Sequence, residues 1–381
     1  MFSFGRENTS SIAKWWRNID KQILFLFIFL LFLGLFFSFS STTTVMSEKM
    51  NKETYFFFIK HLIFVSISLF LLVMISIQEK NKLLKFLPYL FFISLLILAL
   101  VPIFGVEIKG SKRWIDLSPL PLFQPVELVK PLFIIFIAKI IILDGKRKIY
   151  RRYLNSFLVL FLIVIFLISQ PDLRQTLLLI STLITMIFLS GFNMIMLLIL
   201  VLLFLSTITF LILFFPEKFG YIFFRIKAFI DPKTGDNFQS QKALDAIKQG
   251  GLTGQGMGEG ILKDKVPEAH TDYIVAVISE EFGAIFVLFI VTIFLFIGYK
   301  VLSKVFSEQD EFSKLALVGL VSLLIIQTFI HIGVNTKLLP TTGMTFPFLS
   351  YGGSSLIGSS IVAGIILNFT RKDSVRHFKD E

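Results

Sequence analysis

Ten apolar runs, each near the length needed to cross about 30 Å of hydrocarbon, constrain this 381-residue chain more than any other feature. They fall at about 22–42, 54–77, 84–105, 126–144, 154–170, 173–190, 193–215, 272–299, 312–335 and 345–369. A backbone in lipid must satisfy its own polar groups, so each run reads as a helix. Composition agrees: mean hydropathy is +0.80 and 17% of residues are charged, below the quarter usual for a soluble domain. The 21 residues before the first run are polar and that run has full spanning length, so it reads as a span rather than a cleavable signal. The expected fold is an all-α polytopic membrane protein. One domain, 22–370, lies between short tails at 1–21 and 371–381.

A net charge of +11 invites a nucleic-acid reading, and the placement of the charge decides against it. Ten spans put both termini on one side of the membrane. The segments of that side hold 19 of the 37 basic residues, including five in the 146–152 cluster, whereas the short loops opposite hold seven. Positive charge on short loops orients insertion. The chain is therefore expected to be N-in and C-in, with extracytoplasmic loops near 106–125 and 216–271, and no nucleic-acid partner. With no Cys, the chain has no disulfide, thiolate metal site or cysteine nucleophile. No metal-ligand spacing, P-loop or Ser/His/Asp order is present.

Both long outer stretches carry polar chemistry. In 216–271, residues 240–249 read as a short amphipathic helix with Ala243, Leu244, Ala246 and Ile247 on its apolar side. Six glycines follow within 250–260, either a flexible loop or one shaped around a substrate. The loop ends in PEAHTDY (267–273), directly at an apolar run. Thr271 or Asp272 could cap that helix. Alternatively, His270, Thr271, Asp272 and Glu280 form an ionisable cluster at the mouth of a membrane cavity. Glu280 lies about two turns beyond Asp272, and a carboxylate that deep in a span marks function or a buried partner. Asp272 could then serve as a general base.

In 106–125, three Pro within seven residues predict an irregular, re-entrant path. Glu127 and Lys130 are spaced to pair on one helical face. Lys112 and Arg113 are candidates for an anion such as diphosphate, and Trp114 reads as an interfacial anchor or a sugar platform. Near the C-terminus, Ser350, Tyr351, Gly352 and Gly353 place small and polar residues at the head of the last run, where helix packing is the plainer reading.

Five motifs in order, GSKRWIDL (110–117), FQPVELVKP (123–131), QPD (170–172), PEAHTDYIVAVISEEFG (267–283) and LLPTTGMTFPFLSYGGSS (338–355), resemble the SEDS family, polytopic proteins that polymerise peptidoglycan glycan strands. The resemblance covers essentially the whole chain. The GQGMGEG-to-PEAHTDY spacing, the GGLTGQG loop and Met344-Thr345-Phe346-Pro347 are similar to its cell-division branch rather than its elongation branch. The chain departs from the family pattern at Val126 and Val129, at Tyr273-Ile274-Val275, and at Arg174-Gln175, where Gly-Thr is common.

The resemblance implies a glycosyltransferase that uses lipid II, the undecaprenyl-diphosphate-linked disaccharide pentapeptide. It would form a β-1,4 bond with inversion and release undecaprenyl diphosphate. Asp272 matches the family's proposed catalytic aspartate, and Arg113, Glu127 and Lys130 match positions lining its central cavity. Lys112, Trp114, His270, Thr271, Glu280, Ser350, Tyr351, Gly352 and Gly353 are taken as further substrate-binding positions. No cofactor is implied, and a divalent cation at the diphosphate stays open. The implied partners are a class B penicillin-binding transpeptidase and other divisome proteins, in the bacterial cytoplasmic membrane at the division septum. A flippase for the same lipid-linked precursor, an elongation polymerase of the same family and an inactive scaffold are the rival readings.

Overall fold

The computed structural model describes residues 10–42, 55–108, 110–116, 118, 121–143, 149–231 and 238–372. Most of the two tails' ends, Lys109, and the start of the 146–152 basic cluster lie outside the described residues. A short helix, α1 (Ser11–Asn18), precedes α2 (Lys21–Thr42), α3 (Phe56–Ile77) and α4 (Lys80–Phe104). Then come strands β1 (Val106–Ile108) and β2 (Ser111–Trp114), followed by α5 (Val126–Leu143), α6 (Ile149–Ser169), α7 (Leu173–Leu189) and α8 (Met194–Phe214). The outer stretch forms α9 (Pro216–Ile230) and α10 (Phe238–Gly250), and the chain closes with α11 (Ile274–Ser307), α12 (Glu311–Asn335) and α13 (Gly353–Phe369). Each of the ten apolar runs is thus represented by a helix, and six of the described helices are long and apolar enough to cross a membrane on length and composition.

The bundle sorts its phenylalanines by environment. Phe25, Phe29, Phe32 and Phe36 of α2 recur at three- and four-residue spacing and are exposed, the stripe a lipid-facing helix presents. Phe27, Phe37, Phe91, Phe133, Phe346 and Phe348 are fully buried. Inside, α13 packs along α3, α12 against α5, α7 and α11, and α4 against α5. Polar groups inside the bundle cap helix ends. Asn368 Nδ2 donates to the carbonyls of Ile75 at 3.1 Å and Gln78 at 2.7 Å, closing the C-terminus of α3. Trp15 Nε1 donates to Ser76 Oγ at 3.0 Å and ties α1 to the same point. Between α11 and α12, Asp310 accepts from Lys80 Nζ at 2.9 Å and Ser313 Oγ at 2.6 Å. Partial burial works against the Asp310 carboxylate, but these donors and the Lys80 charge outweigh it and hold it below the usual carboxylate range.

Backbone pairing shapes two outer stretches. The 106–115 stretch forms an antiparallel hairpin turned at Gly110, with an added bridge between Ile115 and Phe123, while the described residues 121–125 of the proline stretch form no helix or strand. The prolines that suggested irregularity come after the hairpin, and Pro119 lies outside the described residues. The small sheet is the one addition to an otherwise helical fold among the described residues.

The glycine run is held against a break in a helix. Helix α11 is broken at Gly283, whose φ is 82° and ψ 171°, and the freed backbone groups pair with the run. Gln255 N donates to Glu280 O at 2.8 Å, Gly256 N to Glu281 O at 3.0 Å, and Ala284 N to Gly251 O at 2.9 Å. A broken helix at membrane depth needs such replacements. The two carboxylates beside the break hold the same loop. Glu280, fully buried, accepts from the backbone N–H groups of Leu262 at 2.7 Å and Lys263 at 2.6 Å. Glu281 accepts from Lys263 Nζ, Ser40 Oγ and the Gly258 N–H. A Cβ at Gly283 would stand 2.1 Å from Leu252 O, in a backbone conformation that L-residues rarely adopt. Gly283→Ala is expected to lower stability by about 1–3 kcal/mol, read as a fall in the thermal midpoint of the detergent-solubilised protein.

Candidate functional site

A cavity of about 490 Å³ opens where β2, the heads of α5, α7 and α13, helix α9 and the segment before α11 converge. Its lining includes Arg113, Trp114, Gln124, Glu127, Arg174, Gln175, Arg225, Glu268, Thr271, Asp272, Tyr351 and Gly352.

Asp272 sits in the non-helical segment just before α11, and neither it nor Thr271 caps that helix. The N-cap is Tyr273, with no side-chain cap hydrogen bond. The segment is instead held through its backbone. Asp272 N donates to Glu268 O at 3.0 Å, and Asp272 O accepts from Asn335 Nδ2, at the end of α12, at 3.1 Å. Ser350 Oγ donates to Thr271 O at 2.6 Å, and Tyr351 N donates to His270 O at 2.9 Å. The main chain at Asp272 is fixed from two directions, and Asp272 lines the cavity. Gly343 leaves room for it: φ is +65°, and a Cβ there would lie 2.6 Å from Asp272 Oδ2 and 3.2 Å from Arg174 Nη1.

The floor of the cavity is a charged network. Asp172, 1% exposed, accepts from Gln124 Nε2 and Arg174 Nε, each at 3.1 Å, with Arg113 Nε at 3.9 Å. Arg113 also donates from Nε to Gln170 O at 3.1 Å and from Nη2 to Pro171 O, so it staples the Gln-Pro-Asp turn. Lys130 Nζ meets Glu127 Oε2 at 2.7 Å, the pairing that the spacing predicts, and reaches Gln327 Oε1 at 3.3 Å. Gln175 Nε2 donates to Glu127 Oε1 at 3.0 Å. Asp272, Glu127, Arg113 and Arg174 thus line the floor, and Asp172 and Lys130 pair with Arg174 and Glu127 from behind it.

The residues singled out from the sequence divide into three groups. Arg113, Trp114, Glu127, Thr271, Asp272, Tyr351 and Gly352 line the cavity. Lys130, His270, Ser350 and Gly353 lie behind it. The His270 ring sits 5.7 Å from Tyr351 and 6.1 Å from Phe57, and a Cβ at Gly353 would strike the Phe64 ring. Lys112 is exposed on the hairpin, and Glu280 is turned into the glycine loop, so neither borders the cavity. The sequence reading missed Asp172, Arg174, Gln175, Gln124, Glu268 and Arg225. Arg174 carried a signal, since a charge at the head of an apolar run is costly without a partner.

Comparison with known proteins follows the same outline. A family model described as "Cell cycle protein", covering FtsW, RodA and SpoVE, matches residues 21–375. The probable peptidoglycan glycosyltransferase FtsW of Caulobacter vibrioides is 30% identical over 97% of this chain and 94% of its own length. The protein of that name in Haemophilus ducreyi is 33% identical over 91% and 88%. Among solved structures, a chain of a peptidoglycan synthase complex coordinating polymerization and crosslinking superimposes with TM-score 0.76 at 24% identity, covering 92% of this chain and 97% of that one. The rod shape determining protein RodA of Thermus thermophilus gives TM-score 0.67 at 24% identity, over 93% and 97%.

Proposed function

This chain belongs to the FtsW/RodA/SpoVE family of cell cycle proteins, and from that membership we propose that it polymerises lipid II into β-1,4 glycan strands during septal wall synthesis. It is a multi-pass membrane protein and a peptidoglycan glycosyltransferase. The observation that carries the mechanism is a carboxylate, Asp272, in a cavity that also receives arginines from three separate elements, Arg113, Arg174 and Arg225.

The chemistry requires little beyond these groups. The acceptor sugar hydroxyl attacks the anomeric carbon of the donor from the face opposite the diphosphate, and the carbon–oxygen bond to the diphosphate breaks. Asp272 takes the hydroxyl proton, and the bonding pair leaves with undecaprenyl diphosphate. Diphosphate is a good leaving group, so positioning and positive charge where negative charge develops supply the remainder. With both tails cytoplasmic, the cavity faces outward, where a lipid-anchored sugar reaches it from the bilayer. A class B penicillin-binding transpeptidase and other divisome proteins at the septum of the cytoplasmic membrane complete the proposed setting.

The test is polymerisation of purified lipid II by the full-length protein together with its transpeptidase. Glycan of many disaccharide units is expected. No polymer, with lipid II transport across liposomes intact, would establish the flippase instead. Position should matter as much as charge. Gly343→Ala pushes a methyl group against Asp272 Oδ2 and is expected to lower the polymerisation rate by about 10²-fold, measured as kcat on lipid II.

A further inference from the structure

Arg174 is a largely buried cation at the head of α7, and its surroundings give it a role of its own. It lies in the first turn of α7, with its side chain 12% exposed. Nε is held by Asp172 Oδ1 at 3.1 Å, while Nη1 lies on the Asp272 side. Nη1 and Asp272 Oδ2 flank a single point, the position of a Cβ on Gly343, at 3.2 Å and 2.6 Å. Its charge is coupled to those of Asp172, Asp272 and Glu127. The other floor cations are committed elsewhere: Arg113 to the carbonyls of Gln170 and Pro171, Lys130 to Glu127.

We infer that Arg174 is a positioning residue, which places a fixed positive charge beside the Asp272 carboxylate and keeps it aimed into the cavity. An opposite charge alongside a carboxylate favours its charged form, the form a general base must have. A guanidinium fixed at one end by Asp172 also gives that charge a defined direction. Gln175 serves Glu127 in the same way, so neighbouring Arg174 and Gln175 each supply a donor to a buried carboxylate. This inference rests on the reading of Asp272 as the base.

The test separates kcat from KM for lipid II in the full-length protein with its transpeptidase. Arg174→Gln is expected to lower kcat about tenfold with KM within twofold, and Arg174→Lys, which keeps the charge but not the fork, to lose less than glutamine does. A raised KM with unchanged kcat would make Arg174 a substrate ligand and overturn the inference. So would lysine performing no better than glutamine. If Arg174→Gln does not fold, Asp172→Asn combined with Arg174→Gln keeps the floor neutral and should show the same kcat loss. Wild-type kcat in that double variant would show that only charge balance matters. Asp272→Asn is measured alongside: activity there defeats the reading of the base itself, whereas an inactive Asp272→Asn beside a normal Arg174→Gln defeats this inference alone.

Discussion

Asp272→Asn is expected to lower glycan polymerisation by about 10²–10⁴-fold, the range that a positioned general base supplies. The substitution is nearly isosteric and leaves untouched the contacts that hold this segment. Asp272 N still donates to Glu268 O, Asn335 Nδ2 still reaches Asp272 O, and Ser350 Oγ still reaches Thr271 O. The thermal midpoint should therefore match wild type while the carboxamide cannot take the proton of an attacking hydroxyl. Binding of lipid II should persist, since Arg113, Arg174 and Arg225 remain in the cavity. The readout is polymer length and rate on lipid II with the transpeptidase present, beside lipid II binding by the same preparation. A variant retaining a tenth or more of wild-type rate would remove Asp272 from the role of base. A protein that acted as a scaffold or a flippase would tolerate the change.

The sequence exposed some of this site and hid the rest for identifiable reasons. Asp272, Glu127 and Lys130 were legible because ionisable groups at the heads of apolar runs are costly without partners, and the Glu127–Lys130 spacing fixes a shared helical face. Glu280 was assigned to the cavity because helical phase was counted from Asp272. The helix starts at Ile274, and the carboxylate turns to the backbone of Leu262 and Lys263. The glycine run could not be read without knowing that α11 breaks at Gly283, since its partners are carbonyls and N–H groups on either side of that break. Asp172 stands in the QPD motif between two apolar runs. Its partners Gln124 and Arg113 are 48 and 59 positions away, and no local pattern brings them together.

The buried pair Glu127–Lys130 should dominate the stability of the bundle more than any contact at its surface. The two side chains are 2% and 3% exposed, and Lys130 Nζ is the sole partner of Glu127 Oε2 among the described residues. Removing one member leaves a charge in a low-dielectric interior, which costs more than the pair gains by forming. Lys130→Met is therefore expected to destabilise the protein by about 3–5 kcal/mol, even though methionine fills the space. Glu127→Gln combined with Lys130→Met removes both charges and keeps a carbonyl oxygen for Gln175 Nε2, so most of the loss should return. Thermal unfolding of the two single variants and the double variant in detergent measures the coupling directly. Equal stability of Lys130→Met and wild type would show that Glu127 is neutral in the resting protein. Activity then separates packing from chemistry. Glu127 faces the cavity while Lys130 lies behind it, so the double variant should fold yet polymerise slowly. A stable double variant with full activity would assign the pair to the architecture of the bundle alone.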